Sequence, residues 1–142
     1  MPLPSADELE QLEDIEKQWA VKAMHHAETY FKLISAMDGS KLRLTSIDDE
    51  IYKDFEETFP EIDVLHLDEQ AHFKTPQAKE KWRVWINKYE KRVKEFNFGS
   101  LVRIDAREDY TEQNTMFGVR MQFYAIEIAR NKKGLNQAVL NK

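Results

Sequence analysis

Apolar residues recur every three to four positions through most of the chain, the spacing that lines up one face of an α-helix. Trp19, Ala23, Ala27, Tyr30, Ile34 and Met37 form such a face, with Lys22, His25, Thr29 and Lys32 on the other side. This predicts a first helix that begins near Ser5 to Glu8, capped by Ser5 or Asp7, and stops at Asp38-Gly39. Ile47, Ile51, Phe55 and Phe59 predict a second helix, with Thr45 or Ser46 at its cap and Pro60 at its end. Thr75-Pro76 is a start signal, Thr at the cap and Pro at the first helical position. From there Trp82, Trp85, Ile86, Tyr89, Val93 and Phe96 trace a third helix to about Phe96. Thr111-x-x-Asn114-Thr115 opens a fourth, running to about Asn131. Its apolar residues lie on two faces: Phe117, Met121, Tyr124, Ala125 and Ile128 on one, Met116, Val119, Phe123 and Ile126 on the other. A helix apolar on two sides belongs at the centre of a bundle.

Shorter stretches read differently. Lys41 to Thr45 alternates, Ile62 to Leu67 alternates weakly, and Leu101 to Asp105 is strand-like. The expected fold is mainly α: a single-domain helical bundle of about four helices over residues 1–142, with room for one short β element. Residues 1–14 read as an acidic N-terminal extension or helix start. Residues 135–142 read as a short docked helix or a loose tail.

Composition narrows the chemistry. There is no Cys, which excludes disulfides, thiolate metal sites and cysteine nucleophiles. The four Gly are too scattered to cradle a phosphate. The acidic N-terminus resembles neither a signal nor a transit peptide, and no apolar run would span a bilayer. The reading is cytoplasmic, and a chain this small can also enter the nucleus passively. Net charge is -5, against nucleic-acid binding; the basic third helix, diluted by Glu80, Glu90 and Glu95, reads first as a solvated face.

Candidate chemical groups are few. Glu69-x-x-His72 has the spacing of a helix-borne metal pair but occurs once, where a di-metal bundle needs it twice. His26 falls at the edge of the first apolar stripe and reads as a core-edge imidazole hydrogen-bonded to a neighbour. No cofactor, metal or catalytic residue is expected. The densest polar stretch is Arg103, Asp105, Asp109, Tyr110, Thr111, Glu112, Asn114 and Arg120. It reads as a network in which Arg103 and Arg120 pair with Asp105 or Glu127, or as a recognition surface beside the central helix.

Several motifs carry a family resemblance. Ala23-Met24-His25-His26-Ala27-Glu28-Thr29-Tyr30-Phe31-Lys32-Leu33-Ile34-Ser35 is similar to an A-M-x-H-A-E-x-Y-x-K-L-I-S signature. Asp48-Asp49-Glu50-Ile51-Tyr52, Ala78 to Arg83 (AKEKWR), Phe96 to Leu101 (FNFGSL), and Tyr110 to Thr115 with Arg120 to Asn131 follow in matching order. Over roughly residues 15 to 139 the chain resembles the small eukaryotic polysaccharide biosynthesis domain-containing proteins. The resemblance implies a non-enzymatic, ATP-independent chaperone of newly made translation elongation factor one-alpha, acting on its GTP-binding domain. It also implies cooperation with the ribosome and the nascent polypeptide-associated complex. Residues singled out for client contact are Lys81, Arg83, Arg103, Tyr110, Glu112, Asn114 and Arg120, and Arg120→Glu is expected to abolish client binding without unfolding the domain. Two other functions stay open: an enzyme or accessory factor of polysaccharide biosynthesis, and a nucleic-acid-binding helper.

Overall fold

A computed structural model describes residues 14–142. The capping role given to Ser5 or Asp7 lies outside them. In chain order come α1 (Asp14–Ala36), a 3-10 turn (Gly39–Lys41), α2 (Asp48–Thr58), a π-helical turn (Gln70–Lys74), α3 (Pro76–Asn87), β1 (Gly99–Arg103), β2 (Thr115–Val119), α4 (Arg120–Lys132) and a 3-10 turn (Leu135–Val139). The fold is mainly α with a short β element.

The Thr75-Pro76 start signal holds, whereas the second helix is capped at Ile47 and not at Thr45 or Ser46, and the Ile47 side chain makes no capping bond. Thr75 Oγ1 accepts from the Ala78 N–H at 3.0 Å, with Pro76 at the first helical position. Before α2, Asp48 reaches back to accept from the Leu44 and Thr45 N–H groups at 2.8 and 2.7 Å, while Thr45 Oγ1 accepts from Ile47 N–H at 3.1 Å. These bonds satisfy amides of the turn that leads into α2. The α1 stripe is buried at Ala23, Ala27, Tyr30 and Ile34, whereas its ends, Trp19 and Met37, stay partly exposed.

Two predicted helices change, and two alternating stretches do not become paired strands. The last helix does not start at Thr111. Thr115–Val119 is instead strand β2, antiparallel to β1, with Leu101 opposite Phe117, Val102 opposite Met116 and Arg103 opposite Thr115. Leu101 and Phe117 turn towards Ala23 and Ala27 of α1, and Val102 and Met116 towards the main core. Apolar residues on two faces thus served a ribbon covered on both sides as well as a helix. α4 begins where Arg120 and Met121 donate their N–H groups to the carbonyls of Phe98 and Phe96 at 2.7 and 2.8 Å. The third helix ends at Asn87, not Phe96. Beyond it the chain runs in turns, with Tyr89, Arg92 and Phe98 bonded three residues back. Tyr89 OH donates to Asp54 Oδ2 (2.6 Å) and Lys88 pairs with the same carboxylate (2.8 Å), fixing this segment on α2. Tyr89 and Val93 are still buried, so the apolar stripe survives the loss of the helix. Residues 62–67 and 41–45 form no paired strand; only His66 bridges to Asp105.

The C-terminal residues dock. Asn136 and Val139 are buried, and Asn141 N–H donates to Ser35 O at 2.7 Å. The main core joins α4, buried at Met121, Phe123, Ala125, Ile126 and Ile128, to an aromatic layer from α2 and α3. Phe59 stacks on Trp82 with centroids 4.0 Å apart, Phe73 lies nearly parallel to Trp82 at 5.4 Å, and Trp82 Nε1 donates to His72 O at 2.9 Å. A smaller cluster of Ala23, Ala27 and Leu101 sits under α1, with Met24, Tyr110 and Phe117 at its edge.

Candidate functional site

The hairpin places Arg103 at the end of β1, where a side chain of a strand facing α1 runs straight into the protein. It is fully buried, as are Glu127 and Arg130 of α4. Arg103 Nη2 donates to both Glu127 oxygens (3.1 and 3.2 Å) and to Asn136 Oδ1 (2.6 Å). Arg130 Nη1 donates to Glu127 Oε2 at 2.8 Å, and Tyr30 OH donates to Glu127 Oε1 at 3.0 Å. The two guanidiniums also hold backbone carbonyls: Arg130 those of Val64, Arg103 and Ile104, Arg103 that of Ala106. Burial alone pushes the Glu127 carboxyl up, but the two arginines and Asn136 override it and hold it at about 2. Burial and the adjacent Glu127 carboxylate push the Tyr30 hydroxyl well up.

This corrects one expectation. Arg103 was singled out for client contact; with no exposed side-chain surface it touches only the interior, so its role is structural. The alternative reading of that residue, a buried link to Glu127, is what the geometry has. Arg120 pairs differently: its Nε donates to Ser100 Oγ (2.9 Å) and its Nη1 to Glu95 (3.2 Å), with the side chain only 14% exposed. Asp105 pairs with Arg107 at 2.8 Å, which holds its carboxyl at about 2. Asn114 clasps the 105–114 loop, accepting from Asp105 N–H (2.7 Å) and donating to the carbonyls of Asp105 (3.1 Å) and Asp109 (3.0 Å). Glu112 is exposed beside it. Lys81 and Arg83 lie on α3, away from this loop in the chain order, and each is matched by an acid: Lys81 by Glu61 at 3.2 Å, Arg83 by Glu80. Lys88 and Arg92 are likewise matched by Asp54 and Glu50.

His26 is not the hydrogen-bonded imidazole expected. Its Nδ1 is buried with no hydrogen-bond partner among the described residues, and the ring stands edge-on to Phe123 at 4.7 Å. Burial first, then the Arg120 charge, lowers its pKa to about 4. Among the described residues no group of three or more His, Asp or Glu side chains could hold a metal ion.

Among the exposed concavities with apolar surface, two of about 270 Å³ are lined by Arg83 and by Lys81, and a third lies between α1 and the loop after β1. It measures about 300 Å³ and is lined by Met24, Ala27, Phe31, Leu101 and Tyr110, with Glu28, Lys32 and Asp109 at its rim. Tyr110 is fixed there by its hydroxyl, which donates to Leu101 O at 3.3 Å. Of the residues singled out in the sequence, only Tyr110 lines this groove. Met24 and Phe31 were missed, although both sit beside the main α1 stripe, seven residues apart and on one side of it. That second stripe was the available signal.

The chain's relationships agree with the motifs. The family model for the PBDC1 protein matches residues 15–141. The chain belongs to the PBDC1 protein family. It is similar to a PBDC1 homolog of Saccharomyces cerevisiae, 50% identical over 141 residues and covering 97% of both chains. It is 51% identical over 126 residues to PBDC1 of Homo sapiens, covering 89% of this chain and 54% of that one. A solution NMR structure of a Saccharomyces cerevisiae protein superposes with a TM-score of 0.84 at 51% identity, covering 97% of this PBDC1-family chain and 94% of that one. The groove and the buried Arg103–Glu127–Arg130 network therefore sit within the part of the chain that the family model spans. No helix among the described residues is long and apolar enough to cross a membrane.

Proposed function

We propose that this PBDC1-family chain works by binding and not by catalysis, as a chaperone for the GTP-binding domain of newly made translation elongation factor one-alpha in the cytoplasm. The client comes from the family resemblance of the sequence motifs. The observation that carries the binding reading is the groove beside α1, an apolar floor with a charged rim on the surface of a well-filled domain. The strongest buried charges, Arg103, Glu127 and Arg130, have no exposed surface and are engaged with one another and with backbone, so they hold the fold together and reach no substrate. Cooperation with the nascent polypeptide-associated complex at the ribosome belongs to the same proposal. A chaperone that distinguishes client states needs contacts that differ between them. The test is a binding titration of the whole chain against the isolated GTP-binding domain, loaded with GDP or a GTP analogue. Saturable binding, tighter for one nucleotide, supports the proposal. No binding to either folded domain, nor to the nucleotide-free domain, overturns it.

A further inference from the structure

The groove says what kind of segment would fill it. Its floor is made of Met24, Ala27 and Phe31 from α1, Leu101 from β1 and Tyr110 from the following loop. At about 300 Å³ it is at the small end of ligand sites, a size suited to one anchoring side chain. Directly under the floor lies the Arg103 guanidinium, 5.8 Å from the Phe31 ring centre and 6.0 Å from that of Tyr110. Arg103 and Arg130 share a single carboxylate, Glu127, so the buried network carries net positive charge. A lysine or arginine pushed to the floor would lose its water and meet that charge. A carboxylate would have to pass the acids of the rim and settle on apolar side chains. A neutral apolar side chain meets neither obstacle.

The rim has the opposite sign. Glu28 and Asp109 border the groove against Lys32 alone, and Glu108 and Glu112 are exposed on the same loop. Two cations lie on the same loop: Arg107 is paired with Asp105 at 2.8 Å, and Lys142 Nζ donates to the Arg107 carbonyl at 3.2 Å. Glu28 and Asp109 make no ion pair among the described residues. Glu28, Asp109 and Lys32 together leave the rim of the apolar surface with a net negative charge.

The geometry points to a docking site for a cationic amphipathic segment of a protein partner, with one leucine, methionine or phenylalanine side chain filling the floor and lysine or arginine residues flanking it against Glu28 and Asp109. This rests on the chaperone reading for the identity of the partner, but its first test does not. The whole chain is titrated, by NMR of the methionine methyls and backbone amides, with a synthetic leucine–lysine amphipathic peptide and its leucine–glutamate and serine–lysine counterparts. The expected result is saturable shifts at Met24, Phe31 and Tyr110 with the leucine–lysine peptide, and binding at least about tenfold weaker for the other two. The double variant Glu28→Lys/Asp109→Lys, at two exposed positions, should weaken the leucine–lysine peptide by about tenfold, and Glu28→Gln/Asp109→Asn by less. Equal binding of the acidic peptide, shifts centred elsewhere, or no binding overturns the assignment. The elongation-factor domain then separates the two claims. A domain that binds wild type and the charge-reversed variant equally refutes the groove and leaves the chaperone reading. A domain that binds neither, while the leucine–lysine peptide fills the groove, refutes the client and leaves the site.

Discussion

Replacing Glu127 by glutamine tests the central feature of this core. The substitution is nearly isosteric and changes one charge. It leaves Arg103 and Arg130, both fully buried, without the carboxylate that accepts from them at 3.1, 3.2 and 2.8 Å. It also turns an amide NH2 towards donors: Arg103, Arg130, Asn136 Nδ2 and Tyr30 OH all now give to Glu127. Removing one partner of a buried ion pair costs about 3–5 kcal/mol, because the charge left behind has no solvent. For a domain of this size that lowers the thermal midpoint by about 10–20 °C. Urea unfolding at pH 7 followed by tryptophan fluorescence gives the difference directly, and an unchanged slope against urea shows that the folded state is otherwise intact. The pH dependence is a second readout. The carboxyl lies at about 2 in the folded chain against an ordinary 4.5. The unfolded chain thus takes up the proton first, so the stabilisation is complete above about pH 5 and is lost as the pH falls through about 2. The shift corresponds to roughly 3 kcal/mol. The gap between wild type and Glu127→Gln should therefore close as the pH is lowered from 5 to 2. A gap under about 1 kcal/mol at pH 7, or one that is the same at pH 3 and pH 7, refutes the reasoning.

Three further outcomes are expected. Gly99→Ala puts a Cβ into the Trp19 indole, so the ring must leave the hairpin; the expected cost is about 1–3 kcal/mol with a red-shifted Trp19 emission, and an unchanged spectrum would refute the contact. His26, lowered to about 4 from 6.5, binds its proton more readily in the unfolded chain, so it contributes a loss of stability as the pH falls from about 6.5 to about 4; His26→Leu should remove that part of the pH dependence, measured by urea midpoints across the window. Arg120→Glu sets a second acid beside Glu95 and abandons Ser100, so it should lower stability by about 1–2 kcal/mol, and a urea midpoint equal to wild type would restore Arg120 as a pure contact residue.

The candidate site was half legible before the fold was known. The sequence marked Tyr110, Asn114 and Arg103, the last with Asp105 or Glu127 as its partner, because polar residues crowd that stretch beside an apolar run. It did not mark Met24, Phe31, Glu28 or Leu101, since the groove exists only where α1 crosses the hairpin. Nor could it separate a buried arginine from an exposed one: Arg103 and Arg83 look alike in sequence, and only Glu127, 24 positions away, and Asn136, 33 away, decide that one belongs inside.

What the sequence determined by itself is local. The α1 stripe, the Thr45–Asp48 hydrogen bonds and the Thr75-Pro76 start depend on residues within a turn or two of one another, and spacing and side-chain type suffice to specify them. What tertiary structure decided is where a segment's backbone hydrogen bonds and apolar faces find partners elsewhere. Thr115 to Val119 fits a helix by periodicity, yet Gly99 to Arg103 offers it a ladder and α1 and the core cover both its faces. The turns after Asn87 keep their buried stripe because Asp54 and Glu50 of α2 anchor Tyr89, Lys88 and Arg92. In both places a long-range contact outweighed a helix propensity worth only tenths of a kilocalorie per residue.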